Sequence, residues 1–487
     1  MSEPATIALP GGLTVRRIVT GLWQVADQER DGRTLDLDEA AEALAAYGRA
    51  GFDTWDMADH YGSAEIIAGR AAKILAREGR CATILTKWCP EPGPMDIGTV
   101  RKAVETALTR LGQDRVDVMQ LHWWRYDHPG YLEAMTALAA LREEGLIGHL
   151  GVTNFDAAHL RLLAQHGIAV ATNQVCFSLL DRRAAGRMQA VCRESGSRVL
   201  AFGTLAGGFF SERWLGAAKP ADIADWSKMK YGRFIDVAGG WDRFQALLAT
   251  LDQVAKKHGA QIANVATRWA LDHEAVAGAI VGVRLTEREH RAGSLATLAM
   301  TLDDADRASI AQAVAPLADP PGDCGDEYRM PPFLTASGDL SHHLADVPKA
   351  FCAAAVPAHP DRQRVSTGSI WEEKAGFSRA VKVGERVLVS GTTATAPDGE
   401  PVCPGDAEGQ AVYILDKIGA SLAAVGASLD DVVRTRIYVA NVDDWEAVSR
   451  AHARAFHRAL PANTLVSAGL IGPYLCEIEA EAVVPGT

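Results

Sequence analysis

Several familiar signals are missing from this chain, and each absence removes a class of function. No apolar run reaches the ~18–20 residues that a membrane-spanning helix needs. The first residues, Met1-Ser-Glu-Pro-Ala-Thr6, hold neither a basic region nor an apolar core of the kind a secretory leader carries, which predicts a cytoplasmic protein. Positive charge is scarce, with 49 Lys and Arg against 61 Asp and Glu and a net charge of −12. Phosphate-backbone binding needs a basic surface, so a general nucleic-acid binder is not expected. The eight cysteines (Cys81, Cys89, Cys176, Cys192, Cys324, Cys352, Cys403 and Cys476) form no Cys-x-x-Cys pair and have no histidine at zinc spacing. They read as free thiols in a reducing compartment, and no metal is predicted.

What remains is ordinary globular composition, 48% hydrophobic and 23% charged, over 487 residues. That length exceeds one core and predicts two or three domains. From residue 14 to about 315, short apolar runs alternate with amphipathic stretches. The expected strands are Arg17–Trp23, Thr54–Ala58, Thr83–Lys87, Val116–His122, Leu150–Thr153, Val170–Val175, Val199–Phe202 and Ala277–Val283. Helical patterns such as Leu37–Gly48, Ala64–Ala76 and Gly98–Leu111 lie between them. Eight strands alternating with helices predict an α/β fold of the (β/α)8 barrel type. An open doubly wound sheet usually shows Gly-x-Gly-x-x-Gly after its first strand, and Gly21-Leu-Trp-Gln-Val-Ala26 is not that.

Barrel strands deliver their C-terminal residues to one mouth. Asp56 and Tyr61, in Gly51-Phe-Asp-Thr-Trp-Asp-Met-Ala-Asp-His-Tyr-Gly62, follow the second strand; Lys87 ends the third and His122 the fourth. Each alone has an ordinary structural explanation. Together they form a device for protonating a carbonyl oxygen. Tyrosine, with a reference pKa of ~10, becomes a better acid beside an ammonium. Lys87 would supply that charge, Asp56 would hold the lysine, and His122 would orient the carbonyl.

This set, in this order, resembles the catalytic tetrad of the aldo-keto reductases, and the resemblance implies a nicotinamide cofactor. Gly151-Val-Thr-Asn-Phe155 is similar to the family's carboxamide-binding segment, so Thr153 and Asn154 match ligands of that group, and Gln174 in Thr172-Asn-Gln-Val175 matches a third. Phe202 stands where the family commonly stacks a tyrosine on the nicotinamide, and Gly203 and Leu205 would approach the pyrophosphate. After the last strand, Ile280-Val-Gly-Val-Arg-Leu-Thr-Glu-Arg288 offers Arg284 and Arg288 to a 2′-phosphate. NADPH is therefore expected, with NADH open because Val281 and Ala292 replace the family's usual Pro and Asn. Trp23 and Trp88, beside the tetrad strands, are expected to wall a substrate pocket. The insertion around Asp225–Ile235 is a long loop of the kind that covers a site.

The expected domains are the barrel over residues 1–319, a linker over 320–363 rich in turn residues (Pro320-Pro-Gly-Asp-Cys-Gly-Asp326, Met330-Pro-Pro332), and an α+β domain over 364–487. In that domain Leu388-Val-Ser-Gly391, Gly426-Ala-Ser-Leu-Asp-Asp-Val-Val433, Val442-Asp-Asp-Trp445 and Glu477-Ile-Glu-Ala480 resemble the YjgF-like reactive-intermediate deaminase (Rid) family. Active members follow a Pro-Ala with an arginine that binds a carboxylate, whereas this chain has Pro461-Ala-Asn-Thr464. Asn463 cannot form the bidentate pair. The family's pocket Tyr and Asn are replaced by Phe377 and Ser449, while Ser390 and Glu479 are kept. The resemblance thus implies a homotrimerisation or ligand-binding module without 2-iminoacid deaminase activity, or a domain acting on a substrate that lacks that carboxylate. The leading expectation for the whole is NADPH-dependent reduction of a small aldehyde or ketone. An NAD(P)-linked aldose or alcohol dehydrogenase and a nucleotide-sensing regulatory protein stay open as alternatives.

Overall fold

The structure, a computed structural model, describes residues 5–25, 35–221, 223, 226–287, 290–329 and 348–484. Eight parallel strands close into a barrel: β1 (Ile18–Gly21), β2 (Thr54–Asp56), β3 (Thr83–Trp88), β4 (Val116–His122), β5 (Ile147–Thr153), β6 (Thr172–Cys176), β7 (Arg198–Phe202) and β8 (Val276–Gly282). Neighbours in sequence are neighbours in the wall, and β8 pairs with β1 to close it. Inside, Val19, Leu85, Val118, Leu200 and Ala277 fill the lower barrel, and Leu9 and Val15 plug its floor from the hairpin Thr6–Ala8/Thr14–Arg16. With that end packed solid, the opposite end, where the strands finish, is left for chemistry.

The helices between strands are capped by their own sequence. Asp36 accepts from the amides of Asp38 and Glu39 at the start of α1 (Leu37–Arg49), and α2 (Ala64–Arg77) follows the second strand. Asp96 does the same for α3 (Ile97–Leu111), which ends on Gly112 at φ 61°. A glycine tolerates that left-handed turn without a Cβ penalty. The outer ring continues with α4 (Tyr131–Glu143), α5 (Ala157–Gln165), α6 (Arg187–Ser195), α7 (Trp226–Val237), α8 (Trp241–Lys257), α9 (Ile262–Leu271), α10 (Arg291–Ala299) and α11 (Asp304–Val314). The helix α7 falls in the expected insertion.

Beyond the barrel, α12 (Asp326–Arg329) lies against the mouth, and a second sheet begins at Cys352, inside the stretch whose composition reads as linker. Its strands are β9 (Cys352–Val356), β10 (His359–Ser366), β11 (Ala380–Val383), β12 (Arg386–Thr393), β13 (Val432–Val439), β14 (Ala462–Ser467) and β15 (Cys476–Val483). They run in the order β9-β10-β11-β12-β15-β13-β14, with only β13–β14 parallel. Period-two patterning sets the inner face: Cys476, Ile478, Ala480 and Ala482 point into the core, and Glu477, Glu479 and Glu481 point away. A short helix α13 (Ile370–Ala375) precedes β11.

The long helix α14 (Ala407–Ala424), with α15 (Trp445–Ala455) beside it, covers the inner face of this sheet, and α14 is buried on nearly every side. One side packs on the sheet and the other meets α5 of the barrel. Polar contacts fix this docking. Asp416 on α14 accepts from the Tyr131 hydroxyl at 2.8 Å and meets Nε2 of His159 at 3.0 Å. The other ring nitrogen of His159 meets Asp156 at 2.9 Å, and Asp156 also pairs with Arg454 of α15. Burial alone would lower the His159 pKa, but the Asp156 and Asp416 carboxylates raise it instead. Among the described residues no helix is long and apolar enough to cross a membrane.

Candidate active site

The ends of β2, β3 and β4 bring Asp56, Lys87 and His122 to the mouth, and the loop after β2 adds Tyr61. Lys87 and Asp56 form a buried ion pair, Nζ to Oδ2 at 2.8 Å, with side-chain exposures of 2% and 4%. Lys87 Nζ lies 4.8 Å from the centroid of the Tyr61 ring, so the ammonium sits under the phenol. Trp23 packs edge-on against Tyr61 with centroids 4.9 Å apart. His122 is buried, its ring 3.9 Å from that of Trp124, with Nε2 3.1 Å from Asn154 Nδ2 and Nδ1 3.4 Å from the Cys89 sulfur. Its pKa is pushed well below the ordinary value by burial, then by His60, Arg329, Lys87 and Lys230. At neutral pH this imidazole is uncharged and can share a hydrogen bond with a carbonyl oxygen.

Asp56 is held by more than the lysine. Its other oxygen accepts from Gln174 Nε2 at 2.7 Å and from Gln120 Nε2 at 3.1 Å. Gln174, expected at a cofactor carboxamide, therefore has its amide nitrogen on Asp56. Gln120 belongs to none of the sequence motifs. Strand alternation is the signal that finds it, because residues two apart on β4 share a face and Gln120 precedes His122 by two.

Thr153 ends β5 and Asn154 follows it, and both are buried. Among the described residues the Thr153 hydroxyl and Asn154 Oδ1 have no hydrogen-bond partner, and Asn154 takes a positive φ of 57°. Buried polar atoms are rarely left unpaired, so this pair fits an absent amide-bearing ligand such as a nicotinamide carboxamide. Phe202 ends β7 with the Lys230 ammonium 4.9 Å from its ring. Gly203 takes φ 73°, and a Cβ there would meet the Tyr231 hydroxyl at 2.2 Å. Leu205 follows on the same loop. Arg284, just past β8, is partly exposed with Glu287 3.9 Å away. Arg288 lies outside the described residues. Trp88 points away from Lys87 by strand alternation and is buried in the main apolar core at 9% exposure.

Further contributors come from far along the chain. Lys230 on α7 donates to the Tyr328 hydroxyl, and Tyr328 stands 5.8 Å from Trp124 and 6.1 Å from His122, ring to ring. Arg329 donates to the carbonyls of Trp123 and Asn154, and Gly325 passes so close to Asn154 that a Cβ would meet its carbonyl oxygen at 2.1 Å. Contacts between residues 98 apart carry no local sequence signal. In the C-terminal domain Ser390 donates to the Ser378 carbonyl, Glu479 accepts from Arg436 and Tyr438, and Asn463 donates to Thr435. The chain's own groups thus occupy these three side chains.

Comparison with known proteins agrees with this architecture. The model of the aldo/keto reductase family matches residues 17–315, and that of Endoribonuclease L-PSP, the YjgF group, matches residues 369–484. An NADH-specific methylglyoxal reductase of Escherichia coli is 25% identical over 323 residues, covering 60% of this chain and 93% of that protein. An uncharacterized protein of Streptomyces coelicolor is 40% identical over 125 residues, 25% of this chain and 90% of its own length. Three further curated relatives are matched over only 41–57% of their own length. A glycerol dehydrogenase from Gluconobacter oxydans shares the barrel fold, with a TM-score of 0.51 at 21% identity, covering 65% of this chain and 97% of that one. Because the first match spans more than half of the sequence, the chain belongs to the aldo/keto reductase family, as an NAD(P)H-dependent oxidoreductase barrel with a YjgF-like domain joined behind it.

Proposed function

We propose that the barrel reduces a small aldehyde or ketone with NADPH, Tyr61 acting as the acid that protonates the carbonyl oxygen. The observation that carries this reading is the buried Lys87–Asp56 pair lying beneath the Tyr61 ring, with an uncharged His122 in the same mouth. A cofactor bound in this mouth would supply the hydride. The chain does the rest. Lys87 favours the phenolate over the phenol and so eases loss of the tyrosine proton. His122 aligns the carbonyl by a hydrogen bond from its neutral ring, and Trp23 fixes the plane of Tyr61. Thr153, Asn154 and Gln174 hold the carboxamide, Phe202 offers its face to the nicotinamide, and Gly203 and Leu205 approach the pyrophosphate. Arg284 and Arg288 receive the 2′-phosphate and bias the site towards NADPH.

The C-terminal domain serves assembly or ligand binding in this reading, as a homotrimer, rather than iminoacid deamination. Support comes from the outward face of its sheet, where Leu388, Val433 and Val466 are 41–49% exposed, and from Asn463 standing in place of an arginine. A turnover and fluorescence-titration screen of the full chain tests the proposal, with NADPH and NADH against small aldehydes, ketones and aldoses. NADPH oxidation driven by at least one small carbonyl is the expected result. Tight cofactor binding with no turnover across the panel would replace the enzyme by a nucleotide sensor.

A further inference from the structure

Next to the reductase residues, the loop after β2 and the end of β3 place Asp59, His60 and Cys89 together. One ligand atom from each lies within 4.8 Å of the others. The Asp59 carboxylate spans the group, with Oδ1 3.0 Å from His60 Nδ1 and Oδ2 accepting from the Cys89 amide at 3.1 Å. The Cys89 sulfur in turn lies 3.4 Å from Nδ1 of His122. The cluster thus runs from a partly exposed rim, Asp59 and His60, to the buried Cys89, which borders His122. From the sequence alone this grouping was not expected, because the donors come from two different strand ends rather than one spaced motif.

We infer that Asp59, His60 and Cys89 form a binding site for a soft divalent cation of the zinc class, with His122 bordering it, and that occupancy inhibits carbonyl reduction. The donor set is one sulfur, one imidazole nitrogen and one carboxylate oxygen, with a fourth position left to water, which suits Zn2+ and not the oxygen-seeking Mg2+ or Ca2+. Bond lengths of ~2.0–2.3 Å in a tetrahedral zinc site put ligand atoms roughly 3.3–3.8 Å apart. The donor atoms of Asp59, His60 and Cys89, within 4.8 Å of one another, reach that span with roughly 1 Å of side-chain movement. Carboxylate and thiolate together offset the charge of the ion, and the thiol proton leaves on binding. The carboxylate oxygens keep second lone pairs free while their present hydrogen bonds hold the loop in place.

Inhibition follows from position. The His60 ring packs against Tyr61 with centroids 4.8 Å apart, so a metal held by His60 and Cys89 would stand beside the space a carbonyl must enter. It would also put a metal-bound thiolate where the Cys89 thiol now faces His122 Nδ1. Thr153 and Asn154 supply no ligand to the cluster, so the cofactor should still bind. Metal binding is independent of the reductase reading; the inhibition rests on it.

The test uses the full chain carrying Cys81→Ser and Cys352→Ser, which removes the two exposed thiols, compared with the same protein carrying Cys89→Ser in addition. Equilibrium dialysis against micromolar Zn2+ should give one bound zinc per chain in the parent and at least a tenfold weaker affinity in the Cys89→Ser protein. His60→Ala in the parent should weaken binding likewise. In parallel, the ratio of turnover in zinc to turnover in chelator should fall at least tenfold for the parent, with zinc competing against the carbonyl and not against NADPH. For Cys89→Ser that ratio should lie near one. Equal zinc binding with and without Cys89, or no binding in the parent, would overturn the site. Bound zinc that leaves a measurable turnover unchanged would overturn the inhibition, and loss of all turnover in chelator would count against the reductase reading while leaving the dialysis result to decide the site.

Discussion

Replacing Asp56 with asparagine should separate what the buried ion pair does for stability from what it does for chemistry. The carboxylate receives Lys87 on one oxygen and both Gln120 and Gln174 on the other, all in a dry setting. Asparagine keeps the shape but turns one acceptor into a donor. It can face its oxygen to the lysine and oppose two amide groups, or face the amides and oppose an ammonium. Either way a buried charge loses its partner, a change that costs about 3–5 kcal/mol. At ~2–4 °C per kcal/mol for a domain of this order, the unfolding midpoint of the barrel should drop by roughly 6–20 °C. Adding Lys87→Met removes the orphaned ammonium, lets the introduced amide carbonyl accept from both glutamines, and should recover all but about 1–2 kcal/mol. Turnover should not return with stability, because the charge beside Tyr61 is gone. Thermal unfolding and NADPH oxidation with an aldehyde, measured on wild type, the single variant and the double variant, give the two readouts. A double variant that regains wild-type turnover would refute the role given to Lys87, and an Asp56→Asn protein as stable as wild type would refute the buried pairing itself.

Changing Arg284 and Arg288 to Ala should raise the KM for NADPH by about one to two decades per lost charge-assisted bond while sparing NADH; equal weakening of both cofactors would mean that the arginines do not read the 2′-phosphate. Light scattering should find three chains per particle, and Leu388→Glu with Val466→Glu, on the exposed sheet face, should release monomers; unchanged mass would place assembly elsewhere. His159 is raised above its ordinary value near 6.5, so its contribution to domain docking is full below about that pH and is lost as pH rises through the raised value. Proteolysis between the domains should therefore accelerate at alkaline pH in the wild type and show little pH dependence in His159→Gln. A flat profile in both would remove the histidine from the docking.

Much of the barrel was legible because parallel strands buried on both faces leave short apolar runs between turn signals, and because a barrel delivers strand ends to one place. Asp56, Lys87 and His122 come together for that reason. The outer strands β9 and β10 gave no such signal, since Cys352–Val356 and nearly all of His359–Ser366 are exposed and show no alternation. Strand β11 starts only at Ala380, although the apolar Phe377 precedes it. Helix α13 ends on Gly376 at φ 68°, and Phe377 still donates to the Glu372 carbonyl. In the mouth, Tyr328, Lys230 and Arg329 were invisible because tertiary packing alone joins them to His122 and Asn154. The docking of α14 onto α5 was equally hidden, with Asp416 lying 257 residues from His159.

The most direct test of the central claim is Tyr61→Phe in the full chain, read by NADPH fluorescence titration and by hydride transfer in a single turnover. The phenol oxygen is the only atom removed, and none of the proposed cofactor ligands includes it. The expected outcome is unchanged NADPH affinity with hydride transfer slowed by about a thousandfold or more, the scale of a lost general acid. Retention of most of the rate would mean that Tyr61 is not the acid and that the mouth works by another group.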